Sequence, residues 1–359
     1  MTDFKPGLEG VVAFETEIAE PDREGGALRY RGVDIEELVG HVPYEKVWGL
    51  LVDESLEPGM PDPEPFVLEN PTGDAPSDLQ AATARLSAEW KLAKLVDIDD
   101  QQARDDLGRL SATMVSVVAQ SARGPDRAPV PHDAVTEGDA AAEKFLLRWR
   151  GEADPRHAKA LDTYWICTAE HGLNASTFTA RIVASTGADC GAAMSAAVGA
   201  LSGPLHGGAP ARVLPMLDEA AGAEDIEAYI RDKLDRGERL MGFGHRIYRA
   251  EDPRARLLRR TAKELESPRF EVAEELERVA LDELRRRKPD RVLATNVEFW
   301  SAVVLDVAEI PPALTPAMFA CARVAGWSAH ILEQKRTGRL IRPSANYVGP
   351  PARSATSVG

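Results

Sequence analysis

The chain has 359 residues, of which 44% are hydrophobic, so it is long enough for two domains and a sizeable core. Its formal net charge of −15 argues against a nucleic-acid partner or an anionic membrane surface. The sequence begins without the basic and apolar regions of a signal peptide, and no apolar run reaches the roughly 18 residues that span a bilayer, so we expect a cytoplasmic protein.

The first predicted element is a β-hairpin. Residues 10–31 alternate weakly between apolar and polar side chains around a turn at 24–26. We expect this to be the only hairpin, because the patterns after it are helical. The next helices are predicted at 34–38, 44–52, about 79–95 and about 99–121. The proline- and acid-rich stretch 53–78 and the polar stretch 123–138 predict surface links.

Helices of the C-terminal half have clearer start and stop signals. Asn174 is a good N-cap for a helix that stops at Gly187. Segment 190–201 is almost entirely small residues, which predicts a buried helix at the centre of a domain. Further apolar stripes predict helices at about 155–171, 226–234, 257–265, 272–284, 297–308 and 315–333. With about fourteen helices and one hairpin, the fold class is mainly α, which excludes parallel-sheet dinucleotide folds.

The three cysteines give no sign of a disulfide framework. Cys167, Cys190 and Cys321 are far apart in sequence and odd in number, and none forms a CxxC metal motif. We expect them to be buried small hydrophobic residues.

The stretch 241–254, MGFGHRIYRAEDPR, has the composition of an anion-binding loop. Gly242 and Gly244 allow backbone conformations that are closed to other residues, so His245 can be presented from a loop. A glycine-rich turn with surface arginines is the plainer alternative.

A helix start follows this loop. Asp252 and Pro253 are typical of the N-cap and first position of a helix, which places Arg254 in its first turn. The helix macrodipole disfavours a cation there unless something negative lies between. We therefore expect Arg254 to serve a bound carboxylate or phosphate.

Three histidines lie in predicted loops or at predicted helix ends, each beside a glycine: His171, His206 and His245. A single histidine near a helix end is more often a cap or a satisfied core residue than a catalyst. Their wide sequence separation excludes a shared local role, so we expect them to converge on one cleft.

Five segments together resemble the citrate synthase family: EHGLNASTFTAR, GPLHGGAPARVL, MGFGHRIYRAEDPR, TNVEFW and IRPS. They occur in the family's order, at near-family spacing, over most of the chain. The resemblance implies an almost entirely helical homodimer with a large domain at 1–207 plus 313–359. A small domain at 208–312 would close over the active site. The implied reaction condenses acetyl-CoA with oxaloacetate and hydrolyses the citryl thioester, without metal or redox cofactor.

The same resemblance assigns roles to single residues. It implies that His206 hydrogen-bonds the thioester oxygen, that His245 polarises the ketone, and that Glu298 takes the methyl proton. The residues implied to bind the oxaloacetate carboxylates are His171, Arg254, Arg323 and, from the second subunit, Arg342. The residues implied to bind coenzyme A are Gly242, Phe243, Gly244 and Arg249.

One residue departs from the family pattern. Where this chain has Glu298, the family most often has aspartate, whose side chain is one methylene shorter. A misplacement of the carboxylate by about 1 Å can cost roughly a hundredfold in rate. Glu298 can therefore act as the base only if its backbone lies farther from the substrate, by about the length of the extra methylene. A glutamate two residues after a capping Asn296 would also favour a helix start without any chemistry.

Three other functions stay open from the sequence. A 2-methylcitrate synthase would use propionyl-CoA with the same residues, because one methylene changes selectivity by only about 1–3 kcal/mol. A zinc hydrolase would use His171, His206 and His245 as ligands with Glu298 as base. A non-catalytic scaffold would bind coenzyme A alone.

Overall fold

A computed structural model describes residues 4–22, 26–207, 212–244, 251–290 and 293–355. Fifteen α-helices lie in these ranges, so the prediction of a mainly α fold is confirmed. The helices are α1 Ile35–Leu38, α2 Tyr44–Asp53, α3 Ala75–Glu89, α4 Asp100–Arg123, α5 His132–Thr136, α6 Ala141–Arg150, α7 Pro155–Thr168, α8 Ala175–Ser185, α9 Cys190–Leu201, α10 Val213–Ala221, α11 Ile226–Asp235, α12 Pro253–Glu264, α13 Phe270–Arg287, α14 Val297–Val307 and α15 Thr315–Thr337.

A small antiparallel sheet precedes the helices. Its strands are β1 Ala19–Pro21, β2 Leu28–Tyr30 and β3 Val33–Asp34, in the order β1-β2-β3. The predicted hairpin is confirmed as the β1–β2 pair. The expectation of only one hairpin was wrong, because β2 also pairs with β3. Arg31 and Gly32 both have positive φ, 48° and 82°, as tight hairpin turns require, but they lack the usual Asn-Gly or Asp-Gly signature.

Some predicted helix boundaries were wrong. Helix α3 begins near its proline at position 76 and ends before Lys91, whose φ is 53°, rather than extending to about 95. The polar link at 123–138 contains the short helix α5. Helix α15 continues past Glu333 until Gly338, which takes the left-handed conformation of a C-terminal cap.

The predicted N-caps are confirmed. At each of the predicted caps the N-cap side chain accepts a hydrogen bond from a backbone N–H of the first turn. These side chains are Asn174 of α8, Asp252 of α12 and Asn296 of α14. Since each bond is local, the sequence alone defined where these helices begin.

Helix α9 is buried, as its small side chains predict. It packs on α3, α4, α8 and α15. A Cβ at Gly191 would lie 2.5 Å from Cβ of Ser87 on α3, so the close approach of these helices requires glycine. Helix α15 is also central, because it packs on α2, α4, α7, α8 and α9. All three cysteines are unpaired and buried, as expected.

Helices α10 to α14 pack on one another in a second group. Two of them, α12 and α14, also pack on α7, which connects the second group to the first. The division into domains at 208 and 312 stays a prediction. In the part of the chain that the structure describes, no helix is long and apolar enough to cross a membrane.

Candidate active site

The N-termini of α12 and α14 are joined by one carboxylate. Asp252 accepts hydrogen bonds from Nε and Nη2 of Arg254 at 2.9 and 2.8 Å, and from the backbone N–H of Val297 at 3.0 Å. Asp252 and Arg254 are only 1% and 3% exposed. The sequence predicted that a bound anion would offset the charge of Arg254 at the start of α12. In the structure, the carboxylate of Asp252 provides this negative charge. Asp252 serves as both helix cap and partner of the arginine.

Glu298 lies in the first turn of α14, half-buried, where its backbone N–H donates to Asn296 at 3.0 Å. Burial raises the pKa of the Glu298 carboxyl more than the nearby Arg254 guanidinium lowers it. A raised pKa is what a carboxylate needs to accept a proton readily near neutral pH.

The glycine-rich turn pairs with the segment that leads into α14. The N–H of Gly244 donates to Ala294 at 2.8 Å, and the N–H of Asn296 donates to Gly242 at 2.9 Å. Gly242 and Gly244 have φ values of 87° and 88°, and a Cβ on Gly242 would lie 2.6 Å from Cβ of Phe299. Both glycines are thus required by the backbone. The proposed site residues His245 and Arg249 lie outside the described residues.

His206 lies in the loop after α9 and contacts Ser176. The distance from its Nε2 to Ser176 Oγ is 2.9 Å. Ser176 Oγ accepts from Nε1 of Trp327 and donates its single proton to Oδ1 of Asn174 at 2.9 Å; the other acceptor within reach of that proton is His206 Nε2. When the hydroxyl donates to His206 Nε2, the ring proton is on Nδ1 and can be donated to a substrate.

The His206 ring is neutral at physiological pH. Burial, followed by the positive charge of Arg323, lowers the pKa of His206 to about 4. A neutral imidazole that keeps one N–H can act as a hydrogen-bond donor without losing its proton to solvent.

Arg323 is carried by the middle of α15 and is 3% exposed. Its Nε and Nη1 have no hydrogen-bond partner among the described residues. Its guanidinium lies 4.8 Å from the ring centroid of Phe319. Burial lowers the pKa of Arg323, Glu170 acts in the opposite direction, and Arg254 lowers it again. The charge of Arg323 acts on His206, and the charge of Arg254 acts on Arg323 and Glu298, so these four side chains lie in one region, which we call the cluster.

Sequence reasoning missed Glu170, the fully buried residue before His171. Its Oε1 lies 3.3 Å from Nε2 of His330, whose Nδ1 lies 2.9 Å from Nη1 of Arg181. Since arginine only donates, His330 Nδ1 accepts and the ring presents N–H toward Glu170. Burial raises the pKa of Glu170, but the effects of His330 and then of Arg323 outweigh burial. The pKa is therefore lowered overall, and the carboxylate is charged.

Two proposed carboxylate-binding residues have different settings. His171 is buried, 7% exposed, directly after Glu170. Arg342 is exposed in the irregular tail, and within the described ranges no hydrogen bond or ion pair joins it to the cluster. The tail is held at Ile341, whose N–H donates to Ser185 Oγ at 3.1 Å. Donation of Arg342 to a second subunit stays a prediction.

Gly326 leaves room for the Glu170 carboxylate, which gives a stability prediction. An added Cβ would overlap Glu170 Oε2 and lie 2.6 Å from the carbonyl oxygen of Ala169. We expect Gly326→Ala to lower the free energy of unfolding by about 1–3 kcal/mol in urea titrations. The matched control is Gly199→Ala, whose Cβ would first meet the flexible end of the Gln80 side chain. An equal effect of both changes would show that Glu170 is not tightly held.

The zinc alternative needs three converging ligands. Within the described ranges, no group of three or more His, Cys, Asp or Glu side chains is placed to hold a metal ion. His245, one of the three proposed ligands, lies outside those ranges, so metal analysis of the purified protein is the test of this alternative.

Comparisons with known proteins show the family of the chain. The family model for the citrate synthase C-terminal domain matches residues 7–344. A Mycobacterium tuberculosis protein named "Putative citrate synthase 2" is 60% identical over 357 residues, covering 99% of this chain and 96% of that protein. A Shewanella oneidensis 2-methylcitrate synthase is 32% identical over 378 residues, covering 98% and 96%.

A solved structure has the same fold. It is the ternary complex of carboxymethyl coenzyme A and oxaloacetate with citrate synthase from Thermoplasma acidophilum. Its TM-score is 0.82 at 29% identity, and the match covers 98% of both chains. The chain therefore belongs to the citrate synthase family.

Proposed function

We propose that this protein is a cytoplasmic, dimeric citrate synthase that condenses acetyl-CoA with oxaloacetate and water to give citrate and CoA. The observation that carries the proposal is the cluster in which a neutral His206 lies near the buried Arg323 charge, with the half-buried Glu298 near Arg254. The Thermoplasma complex with oxaloacetate and a CoA derivative supports the choice of substrates. No metal or redox cofactor is required.

The first step removes a proton from the acetyl methyl group. This proton is less acidic than that of a carboxylic acid by on the order of fifteen pK units, each worth about 1.36 kcal/mol. The enol must therefore be stabilised as it forms. Glu298 accepts the proton, while Nδ1–H of His206 donates to the thioester oxygen as negative charge develops there.

The second step joins the enol carbon to the ketone carbon of oxaloacetate. Arg254 and Arg323 hold the carboxylates with His171, and Nε and Nη1 of Arg323, which have no partner among the described residues, supply two separate donors. His245 polarises the ketone, whose oxygen becomes the hydroxyl of citryl-CoA. Water then hydrolyses the thioester and releases CoA. A small domain that closes over the substrates would exclude premature hydrolysis.

The dimeric site gives a test by complementation. In a two-fold dimer each tail can reach the partner's cleft, so one site would combine His206 of one subunit with Arg342 of the other. We expect His206→Ala and Arg342→Ala each to be nearly inactive. Refolding the two variants together should restore about half of the sites in mixed dimers, measured as citrate formation. The pure variants, unfolded and refolded alone, are the controls. Mixed dimers confirmed by mass spectrometry that stay inactive would place Arg342 in its own subunit's site.

A 2-methylcitrate synthase is the second candidate, favoured by the Shewanella relative. Comparing kcat/KM for acetyl-CoA and propionyl-CoA, with products identified by mass spectrometry, separates the two. We expect acetyl-CoA to be preferred, by a factor of about 10 or more for one methylene in an apolar pocket. A preference for propionyl-CoA would make the protein a 2-methylcitrate synthase.

A further inference from the structure

Helix α6 carries a buried guanidinium at a cavity separate from the candidate active site. Arg148 is 4% exposed and lines a cavity of about 290 Å³. The other walls come from 65–67, from 129–132 and from Gln120 on α4. None of these residues belongs to the catalytic cluster. We call this space the Arg148 cavity.

The guanidinium has neutral partners on two of its three nitrogens. Its Nη1 donates to the carbonyl of Val130 at 2.7 Å, and its Nη2 lies 3.1 Å from Nδ1 of His132. Its Nε is buried and has no hydrogen-bond partner within the described ranges. Arg148 therefore lines the cavity with a guanidinium that has one donor unsatisfied by the described residues.

Arg148 also has no carboxylate as an ion-pair partner among the described residues. The other buried arginines that the structure describes outside this cavity are Arg181 and Arg254, which pair with Glu333 and Asp252, and Arg323 of the candidate active site. For Arg148 there is no such ion pair in the described part of the chain, and no wall residue of the cavity is acidic. In a chain with 58 acidic residues, Arg148 and Arg323 are the buried arginines that have no acidic ion-pair partner within the described ranges, and only Arg148 lies outside the candidate active site.

Burial lowers the pKa of Arg148, but an arginine stays protonated in proteins, so the positive charge persists. Its place in the last turn of α6 offsets part of the cost, because the C-terminus of a helix favours a cation. A buried charge without a counter-ion is still unfavourable, and an anion that enters the cavity would neutralise it.

The chemistry of the walls defines the anion. Because arginine only donates, Nδ1 of His132 accepts from Arg148, which leaves Nε2–H of the ring as a further donor. Pro65, Phe66 and Pro131 supply apolar surface. We propose that the Arg148 cavity binds a small organic carboxylate, with its anionic end at Arg148 and a short hydrocarbon body against these walls. The cavity's volume is at the lower limit for ligand pockets, which restricts the ligand to a few carbons.

The test measures binding of sodium hexanoate to the full-length protein by calorimetry and by the shift of Tm, against sodium chloride at equal ionic strength. We expect millimolar binding and a Tm rise of about 1–3 °C at saturating hexanoate. Arg148→Gln removes the charge. Val67→Glu, on the exposed rim of the cavity, leaves Arg148 in place and adds a competing carboxylate. Its matched control is Val96→Glu, exposed and outside the cavity.

Hexanoate affinity should fall about tenfold or more in Arg148→Gln and Val67→Glu and stay unchanged in Val96→Glu. If Arg148→Gln does not fold, Val67→Glu still decides the question. The proposal is overturned if wild-type protein does not bind hexanoate at about 10 mM, since weaker binding would be non-specific. It is also overturned if Arg148→Gln and Val67→Glu both bind hexanoate with wild-type affinity, because hexanoate would then bind elsewhere. Binding of phosphate without binding of hexanoate would overturn it as well.

Discussion

Glu298→Gln should lower kcat by about 10²–10⁴-fold, because the amide keeps the shape of the side chain but cannot accept the methyl proton. Oxaloacetate affinity should be unchanged, since its carboxylates are assigned to Arg254 and Arg323. Steady-state kinetics together with calorimetry of oxaloacetate binding measures both. A Glu298→Gln enzyme with kcat near the wild-type value would mean that another group is the base.

The conservative variant Glu298→Asp is the matched control. It restores the residue that the family most often has, but moves the carboxylate by about the length of one methylene. We expect a loss of up to about a hundredfold, smaller than that of the amide. Equal losses in the two variants would show that position, and not proton transfer, limits the reaction.

The pH dependence of the wild-type enzyme should report the same carboxylate. Burial raises the pKa of Glu298 above the usual 4.5 of a glutamate. The base must be ionised, so kcat/KM should fall as the pH falls through this raised pKa. The pKa of His206, about 4, places its titration at lower pH. The acid limb should be lost in Glu298→Gln, whose residual activity no longer depends on this carboxylate.

His206→Ala should lower kcat by about 10²–10³-fold, the usual cost of removing one hydrogen-bond donor from a developing oxyanion. Oxaloacetate binding should be nearly kept, because this ring is assigned to the thioester. Kinetics at saturating oxaloacetate, with its Kd measured separately, distinguishes the two effects.

His245→Ala is the comparison variant for this experiment. His245 is assigned to the ketone of oxaloacetate, so its loss should damage both kcat and oxaloacetate affinity. If both variants lose oxaloacetate affinity equally, the division of roles between the two histidines is wrong.

The parts of this site that the sequence predicted are local. Asn174, Asp252 and Asn296 cap helices through backbone groups two or three residues away, so their roles can be read from neighbouring residues. The positive φ values of Gly242 and Gly244 likewise belong to one short turn. The motifs that carried the family resemblance are of the same kind.

The parts that the sequence did not predict depend on contacts between distant segments. Glu170 meets His330, 160 residues along the chain, and Trp327 reaches Ser176, 151 residues away. No periodicity or cap signal joins such positions, because their contact is created by packing of α15 against α7 and α8. Asp252 shows a related limit, since its contact with Val297 depends on the meeting of two helix starts.

The most direct test of the central claim is an assay of free CoA with a thiol reagent. Acetyl-CoA and oxaloacetate are added separately and together, with and without a chelator. We predict that CoA is released only when both substrates are present, that citrate forms in equal amount, and that the chelator has no effect. Release from acetyl-CoA alone, no release with both substrates, or activity that depends on stoichiometric zinc would contradict a citrate synthase.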